Sequence, residues 1–100
     1  MRNLMAICAA VFALVGSAAA EPLKGDGPGC KDKALGIELA SLKDTDTHYI
    51  SIWAQGMQDQ SCRGFSAGLE VTVEERDETV ACVRSAEDDA CFWVRADMAP

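Results

Sequence analysis

The sequence predicts a small all-β domain: an antiparallel sandwich or partial barrel of about five strands, stabilised by disulfides. Three observations support this fold class. Short segments alternate apolar and polar residues with the period of two that is typical of strands, and polar turns separate them. Four cysteines follow residue 20, an even number that suits two disulfides in an exported chain. Only 80 residues follow residue 20, a size at which a core alone contributes little stability.

The first twenty residues, MRNLMAICAAVFALVGSAAA, differ from the rest of the chain. Arg2 is followed by an apolar run from Leu4 to Val15, and the segment ends in small residues. This order is typical of a secretory signal peptide. The apolar run is shorter than the roughly 20 residues that a transmembrane helix needs. We therefore expect residues 1–20 to be a signal peptide. The protein is then exported to the periplasm or the medium, with no membrane anchor after cleavage.

The charge of the remaining chain excludes some classes of partner. Residues 21–100 carry all 16 acidic side chains and, without Arg2, 8 of the 9 basic ones, a net charge of −8. Nucleic-acid binding depends on Lys and Arg that neutralise phosphates, so this balance argues against it. It also argues against a basic helix on a membrane surface. The charge suits a basic protein partner, and it also serves solubility alone.

The segment EPLKGDGPG, residues 21–29, contains two prolines and three glycines, which regular structure rarely tolerates. We expect a flexible N-terminal arm there, followed by a single β domain at residues 30–100. Within that domain, LGIELASL and HYISIWAQ alternate around the polar turn KDTDT, which favours a β-hairpin. The alternative is an α+β fold with a helix at residues 31–43, since Ala34, Leu35, Leu39 and Leu42 also fit a helical stripe.

The C-terminal half predicts a three-stranded antiparallel meander. LEVTVEE is the clearest strand, and TVACVRS and ACFWVRA follow it, joined by AEDD. In the last hairpin Cys82 faces either Cys91 or Trp93. Both registers place these three residues on one face of the sheet and Ala81, Val83, Phe92 and Val94 on the other.

The turn before Val80 decides which of these faces Val71 and Val73 share. A two-residue turn places them with Cys82 and Trp93, whereas a three-residue turn slips the register by one and places them on the opposite face. We favour the first register, because it buries Trp93 and the sulfur atoms.

The four cysteines have the spacing of structural disulfides. A zinc site would group its ligands as C-x(2–4)-C or add nearby histidines, and a redox pair would form C-x-x-C; neither pattern occurs. Three pairings are possible, and we favour Cys82–Cys91 with Cys30–Cys62. A directly opposed pair, about 4.5 Å apart, meets the distance that a disulfide requires. A diagonal pair, about 7–8 Å apart, meets it only after adjustment.

Few residues are suited to catalysis, so we expect no enzyme and no cofactor. His48 is the single histidine, and no serine lies in G-x-S-x-G. The acidic turns at 44–46 and 87–89 hold two and three carboxylates, fewer than a calcium site needs, and we predict no metal site.

The aromatic side chains are the candidates for partner binding. Tyr49 and Trp53 share a face of the first predicted hairpin, and Phe92 and Trp93 lie in the last one. Large aromatics often dominate the energy of protein interfaces, although a domain of this size also needs them in its core.

One short stretch, CFWVRADMA (Cys91 to Ala99), resembles the aromatic and basic stretch near the end of periplasmic C-type lysozyme inhibitors. The resemblance covers nine residues. That family places a glycine where Ala96 stands, and its later cysteine-bearing tail is missing here. The resemblance implies a small exported β-domain with disulfides, for which a basic lysozyme would be an electrostatically suitable partner.

Taken together, these features predict a small, exported, acidic binding module that contacts a protein, in the manner of an inhibitor. The alternative is a periplasmic protein that binds a small ligand or a metal ion through the acidic turns or through His48 with Met57.

Overall fold

The computed structural model describes residues 19–100; the expected signal peptide lies outside these residues except for its last two. The described chain forms six strands, two α-helices and a short 3-10 helix. In chain order these are β1 (Glu21–Pro22), β2 (Gly27–Cys30), α1 (Lys33–Ser41), α2 (Thr47–Gln58), β3 (Cys62–Phe65), β4 (Glu70–Arg76), β5 (Val80–Arg84), β6 (Phe92–Arg95) and the 3-10 helix (Ala96–Met98). The protein is mostly β and contains two disulfides, which confirms the predicted fold class.

The strands form one antiparallel sheet in the order β1-β4-β5-β6-β2-β3. β1 pairs with β4, and β2 pairs with β3, in one continuous register. The register is kept because the segments between the strands, residues 23–26 and residues 66–69, have the same length. Across this interruption the Leu23 amide donates to the Leu69 carbonyl at 2.9 Å. The six segments therefore act as four strands, two of them bent. Their ladders run in a ring that closes where Cys30 pairs with Trp93.

Residues 21–29 are thus not the flexible arm that the sequence predicted. They contribute β1 and most of β2, and Leu23 between these strands is buried. The prolines and glycines mark the bend of a strand. Pro22 and Pro28 are tolerated because sheet edges and bends do not need every backbone N–H.

The interior of this ring is filled by apolar side chains from β3, β4, β5 and β6, from Leu23 between β1 and β2, and from Met98 and Ala99 after β6. Phe65 and Phe92 meet there with ring centroids 5.5 Å apart. The full inner cluster consists of Leu23, Phe65, Val71, Ala81, Val83, Phe92, Val94, Met98 and Ala99, with Val73 packed against it.

The predicted hairpin over residues 35–42 and 48–55 is wrong, since both segments are helical. Each helix begins at an aspartate that caps it. Asp32 accepts a hydrogen bond from the Ala34 amide at 2.7 Å, and Asp46 accepts one from the His48 amide at 2.8 Å. Such caps satisfy N–H groups that a helix leaves unpaired at its start. The alternative helix at 31–43 has the correct type and position, as α1.

The two helices cover part of the outer face of the sheet, and a glycine in each allows close approach. A Cβ added to Gly36 would lie 2.7 Å from Cβ of Trp93 on β6, and one added to Gly56 would collide with Sγ of Cys62 on β3. α1 therefore lies over β6, and α2 lies over β3.

The favoured register of the β4–β5 hairpin is also wrong. Val73 pairs with Val83, and the register then shifts so that Glu75 pairs with Cys82. This irregularity at Glu74 places Val71 and Val73 in the inner cluster with Val83. Both faces of β5 and β6 are buried, one in the ring and one under the helices, so the burial of Trp93 and the sulfur atoms does not decide the register.

Both disulfides have the predicted connectivity and lie on the outer face. Cys30 and Cys62 are directly opposed on β2 and β3. Cys82 pairs with Trp93, so Cys91 is its diagonal neighbour, yet the two cysteine Cα atoms are only 5.3 Å apart. The adjustment is possible because Cys91 precedes the start of β6 and is not held by the ladder.

Candidate interaction surface on helix α2

The structure separates the four aromatic residues that the sequence proposed for partner binding. Phe92 belongs to the inner cluster and Trp93 lies beneath α1; their exposed fractions are 6% and 9%. Neither presents a surface to a partner, which corrects that part of the prediction. Tyr49 and Trp53 are half-buried on α2, so only this helix keeps candidate aromatic contacts.

Helix α2 is unusual in a domain with many charged side chains. Its twelve residues, THYISIWAQGMQ, include no Lys, Arg, Asp or Glu. His48 is its single titratable side chain other than Tyr49, and its Nε2 lies 2.8 Å from Oε2 of Glu38 on α1. Charge is confined to the two ends of the helix, where Asp46 and Asp59 occupy the cap positions.

One flank of α2 is both apolar and exposed. Ile50 and Met57 are 52% and 50% exposed, and with Trp53 and Ala54 they follow the i, i+3, i+4, i+7 spacing of one helix side. We call these four residues the apolar flank. The indole of Trp53 lies 4.0 Å from the position of a Cβ added to Gly64 of β3. Within the apolar flank, Trp53 is therefore the residue that lies against β3.

The carboxylate at the C-terminal end of α2 is stabilised in its charged form by two hydrogen bonds. Asp59 Oδ1 accepts hydrogen bonds from the Ser61 hydroxyl at 2.6 Å and the Ser61 amide at 2.9 Å. These bonds favour the charged form and lower the pKa of Asp59 below its usual value.

The opposite flank of α2 meets α1, and an open pocket lies between the two helices. The pocket has a volume of about 200 Å³. Leu35 of α1 and Ile52 of α2 supply its large apolar side chains, and Ser51, Gln55, Gly56, Asp59 and Ser61 complete the lining. At 100° per residue, Gln55 and Asp59 lie roughly half a turn from Ile50 and Met57. The pocket and the apolar flank are thus separate features of one helix.

In each of the two acidic turns, one carboxylate accepts hydrogen bonds from within the domain. Asp46 caps α2, and Asp88 Oδ2 accepts hydrogen bonds from the Ser85 hydroxyl at 2.8 Å and from Arg63 at 3.0 Å. Among residues 19–100 no group of three or more His, Cys, Asp or Glu side chains has a geometry that would hold a metal ion. None of the helices in this part of the chain has the length and apolar character to cross a membrane.

Sequence reasoning missed the apolar flank because it assigned residues 48–55 to a strand and named Met57 only as a possible ligand together with His48. In a strand Tyr49 and Trp53 share a face with Ser51, and Ile50 lies on the other side. The signal that would have revealed the flank is the helical spacing of Ile50, Trp53 and Met57 after a capping aspartate. Comparison of the chain with protein-family models, curated proteins and solved structures found no match.

Proposed function

We propose that the protein is a small, exported, acidic binding module without enzymatic activity, and that it contacts a basic protein through the apolar flank of α2. The observation that carries this proposal is the half-exposure of Ile50 and Met57 on a helix without charged residues. Contiguous exposed apolar surface often marks an interaction site. Methionine adapts to partner surfaces, and tryptophan is enriched among the residues that dominate binding energy.

The charge distribution supports a basic partner. The net charge of residues 21–100 is −8, from 16 acidic and 8 basic side chains, while Asp46 and Asp59 border the uncharged helix. An apolar centre with a charged rim is a common arrangement of protein interfaces. Complementary charge of this kind raises the association rate and selects among partners.

Export to the periplasm or the medium fits this proposal. The first twenty residues have the order of a signal peptide, and the two disulfides indicate an oxidising compartment. The resemblance of residues 91–99 to periplasmic C-type lysozyme inhibitors makes a basic C-type lysozyme the first partner to test. Since Phe92 and Trp93 are buried, the contact surface in such a complex would be α2.

The test compares two double variants. I50E/M57E places charge on the apolar flank, while I37E/L69E changes the two other large apolar residues that are exposed in the described chain. Each protein is first immobilised to capture partners from a periplasmic extract. The affinity of each protein for the captured partner, and for a C-type lysozyme, is then measured in solution by calorimetry. We expect the wild type and I37E/L69E to bind the same basic protein, more weakly at high salt, and I50E/M57E to lose at least tenfold in affinity.

Equal binding by both double variants would contradict the use of the apolar flank. Sedimentation equilibrium of the wild type supplies a second check. A stable dimer that I50E/M57E dissociates would mean that a second copy of the chain, and not a basic partner, covers the flank.

A further inference from the structure

The pocket between α1 and α2 has the dimensions of a single long side chain. Its volume of about 200 Å³ is below the roughly 300–1,000 Å³ of sites that enclose small-molecule ligands. Leu35 and Ile52 supply an apolar wall of the kind that an aliphatic stem would contact. The occupant that fits is therefore narrow, flexible and largely aliphatic.

The polar end of the pocket favours a positive charge. Asp59 lies there at the C-terminal end of α2, where the aligned peptide dipoles add negative potential. The last turn of α2 contains no basic residue that would neutralise this potential. Ser61 donates both of its hydrogen bonds to Oδ1 of Asp59, so these two bonds leave Oδ2 of the same carboxylate available.

We propose that this pocket binds a lysine or arginine side chain of the basic partner. The aliphatic stem lies against Leu35 and Ile52, and the ammonium or guanidinium group meets Asp59, with Gln55 and Ser51 as further hydrogen-bond acceptors. Lys and Arg commonly bury their stems along apolar surface while the charged group stays near water. The source of the side chain rests on the proposed function, whereas the chemistry of the pocket does not.

The pocket can be tested without the partner, by titration of the whole domain with blocked amino acids. The probes are Nα-acetyl-lysine N-methylamide, its arginine counterpart and its norleucine counterpart, which keeps the stem and lacks the charge. Backbone amide shifts in two-dimensional NMR report where each probe binds. We expect the cationic probes to shift the amides around Leu35, Ile52 and Asp59 saturably, and norleucine to bind up to about fivefold more weakly, as for loss of an exposed ion pair.

Two variants and one control variant test whether Asp59 supplies the negative charge that binds the lysine probe. Asp59→Asn should weaken the lysine probe about fivefold, and Asp44→Asn, which removes one carboxylate from the turn before α2, should leave it unchanged. Gln55→Lys places an ammonium group one helical turn from Asp59 and should abolish the response to the free lysine probe, while a lysine is well tolerated in a helix.

Equal affinity for lysine and norleucine, shifts centred elsewhere, or an unchanged response in Asp59→Asn would overturn the proposal. Such a failure would leave the proposed function standing, because I50E/M57E tests the opposite flank of α2. If I50E/M57E lost partner binding but kept its response to the lysine probe, the apolar flank and the pocket would be shown to bind independently.

Discussion

The inner and outer faces of the sheet are built in different ways. The inner cluster is wholly apolar and closes on itself within the ring of strands. On the outer face the helices bury little: Gly36 and Leu39 are the buried residues of α1, and Gly56 is the one buried residue of α2. Both disulfides lie on this outer face. The outer layer is thus attached by close glycine contacts near bonded cysteines more than by side-chain burial.

This difference explains how a domain of this size retains exposed apolar residues. The inner cluster supplies the core, so α2 does not need Ile50 or Met57 for burial. A helix that is held by its glycine and by Tyr49, Ile52 and Trp53 leaves its remaining apolar side free for a partner.

The largest expected effect comes from the inner cluster. Phe65→Ala removes a buried ring that packs against Phe92, so it should lower the free energy of unfolding by about 3–5 kcal/mol, through lost transfer energy and a cavity. Urea unfolding monitored by circular dichroism measures this change.

The matched control for that change is Ile50→Ala on the apolar flank. It should alter stability by no more than about 0.5 kcal/mol, because the side chain is half exposed. Similar losses in the two variants would mean that the apolar flank belongs to the core of the domain.

The inner cluster was also the more predictable region. The period of two in residues 69–75, 79–85 and 90–96 identified β4, β5 and β6, and it correctly grouped Ala81, Val83, Phe92 and Val94 on one face. The partner of Val71 was not predictable, since β5 and β6 are apolar on both faces and the irregularity at Glu74 leaves no mark in the pattern.

A smaller effect is expected at the contact between α2 and the sheet. Alanine favours a helix over glycine by up to about 1 kcal/mol, yet the Cβ of Gly56→Ala would collide with the bonded sulfur of Cys62. We expect a net destabilisation of about 1–3 kcal/mol, typical of overpacking. The fluorescence of Trp53 should change as α2 moves.

Gly64→Ala is the control, because the nearest atoms to its added Cβ are 4.0 Å away on Trp53. It should change stability by less than about 0.5 kcal/mol. If Gly56→Ala matched the wild type in stability and fluorescence, α2 would not lie this close to Cys62.

The helices show what sequence periodicity alone misses. Residues 35–42 fit a strand and a helix almost equally, and the deciding features are the capping aspartates Asp32 and Asp46, which also read as ordinary turn residues. The apolar flank became visible only once α2 was a helix. The pocket was beyond prediction, because it requires the relative position of two helices.

The smallest effect is expected at Asp77 in the β4–β5 turn, whose contact with Lys33 connects the ring of strands to α1. Asp77 Oδ1 accepts hydrogen bonds from the Val80 and Thr79 amides, both at 3.0 Å, and Oδ2 lies 3.0 Å from Nζ of Lys33 on α1. The bond from Val80, then Lys33 and the bond from Thr79, lower the pKa of Asp77 from 3.8 to about 2. The ionised carboxylate therefore stabilises the folded state above pH 4, and this contribution is lost as the pH falls toward 2.

Asp77→Asn keeps a hydrogen-bond acceptor and removes the charge, so it isolates this contribution. The wild type should unfold at a higher urea concentration than Asp77→Asn at pH 7, and the difference should shrink between pH 4 and pH 2. Asp44→Asn, which changes the net charge equally, should give no such convergence. A difference between wild type and Asp77→Asn that stayed constant down to pH 2 would show that the turn depends on its hydrogen bonds alone, and that Lys33 does not tie α1 to the ring of strands.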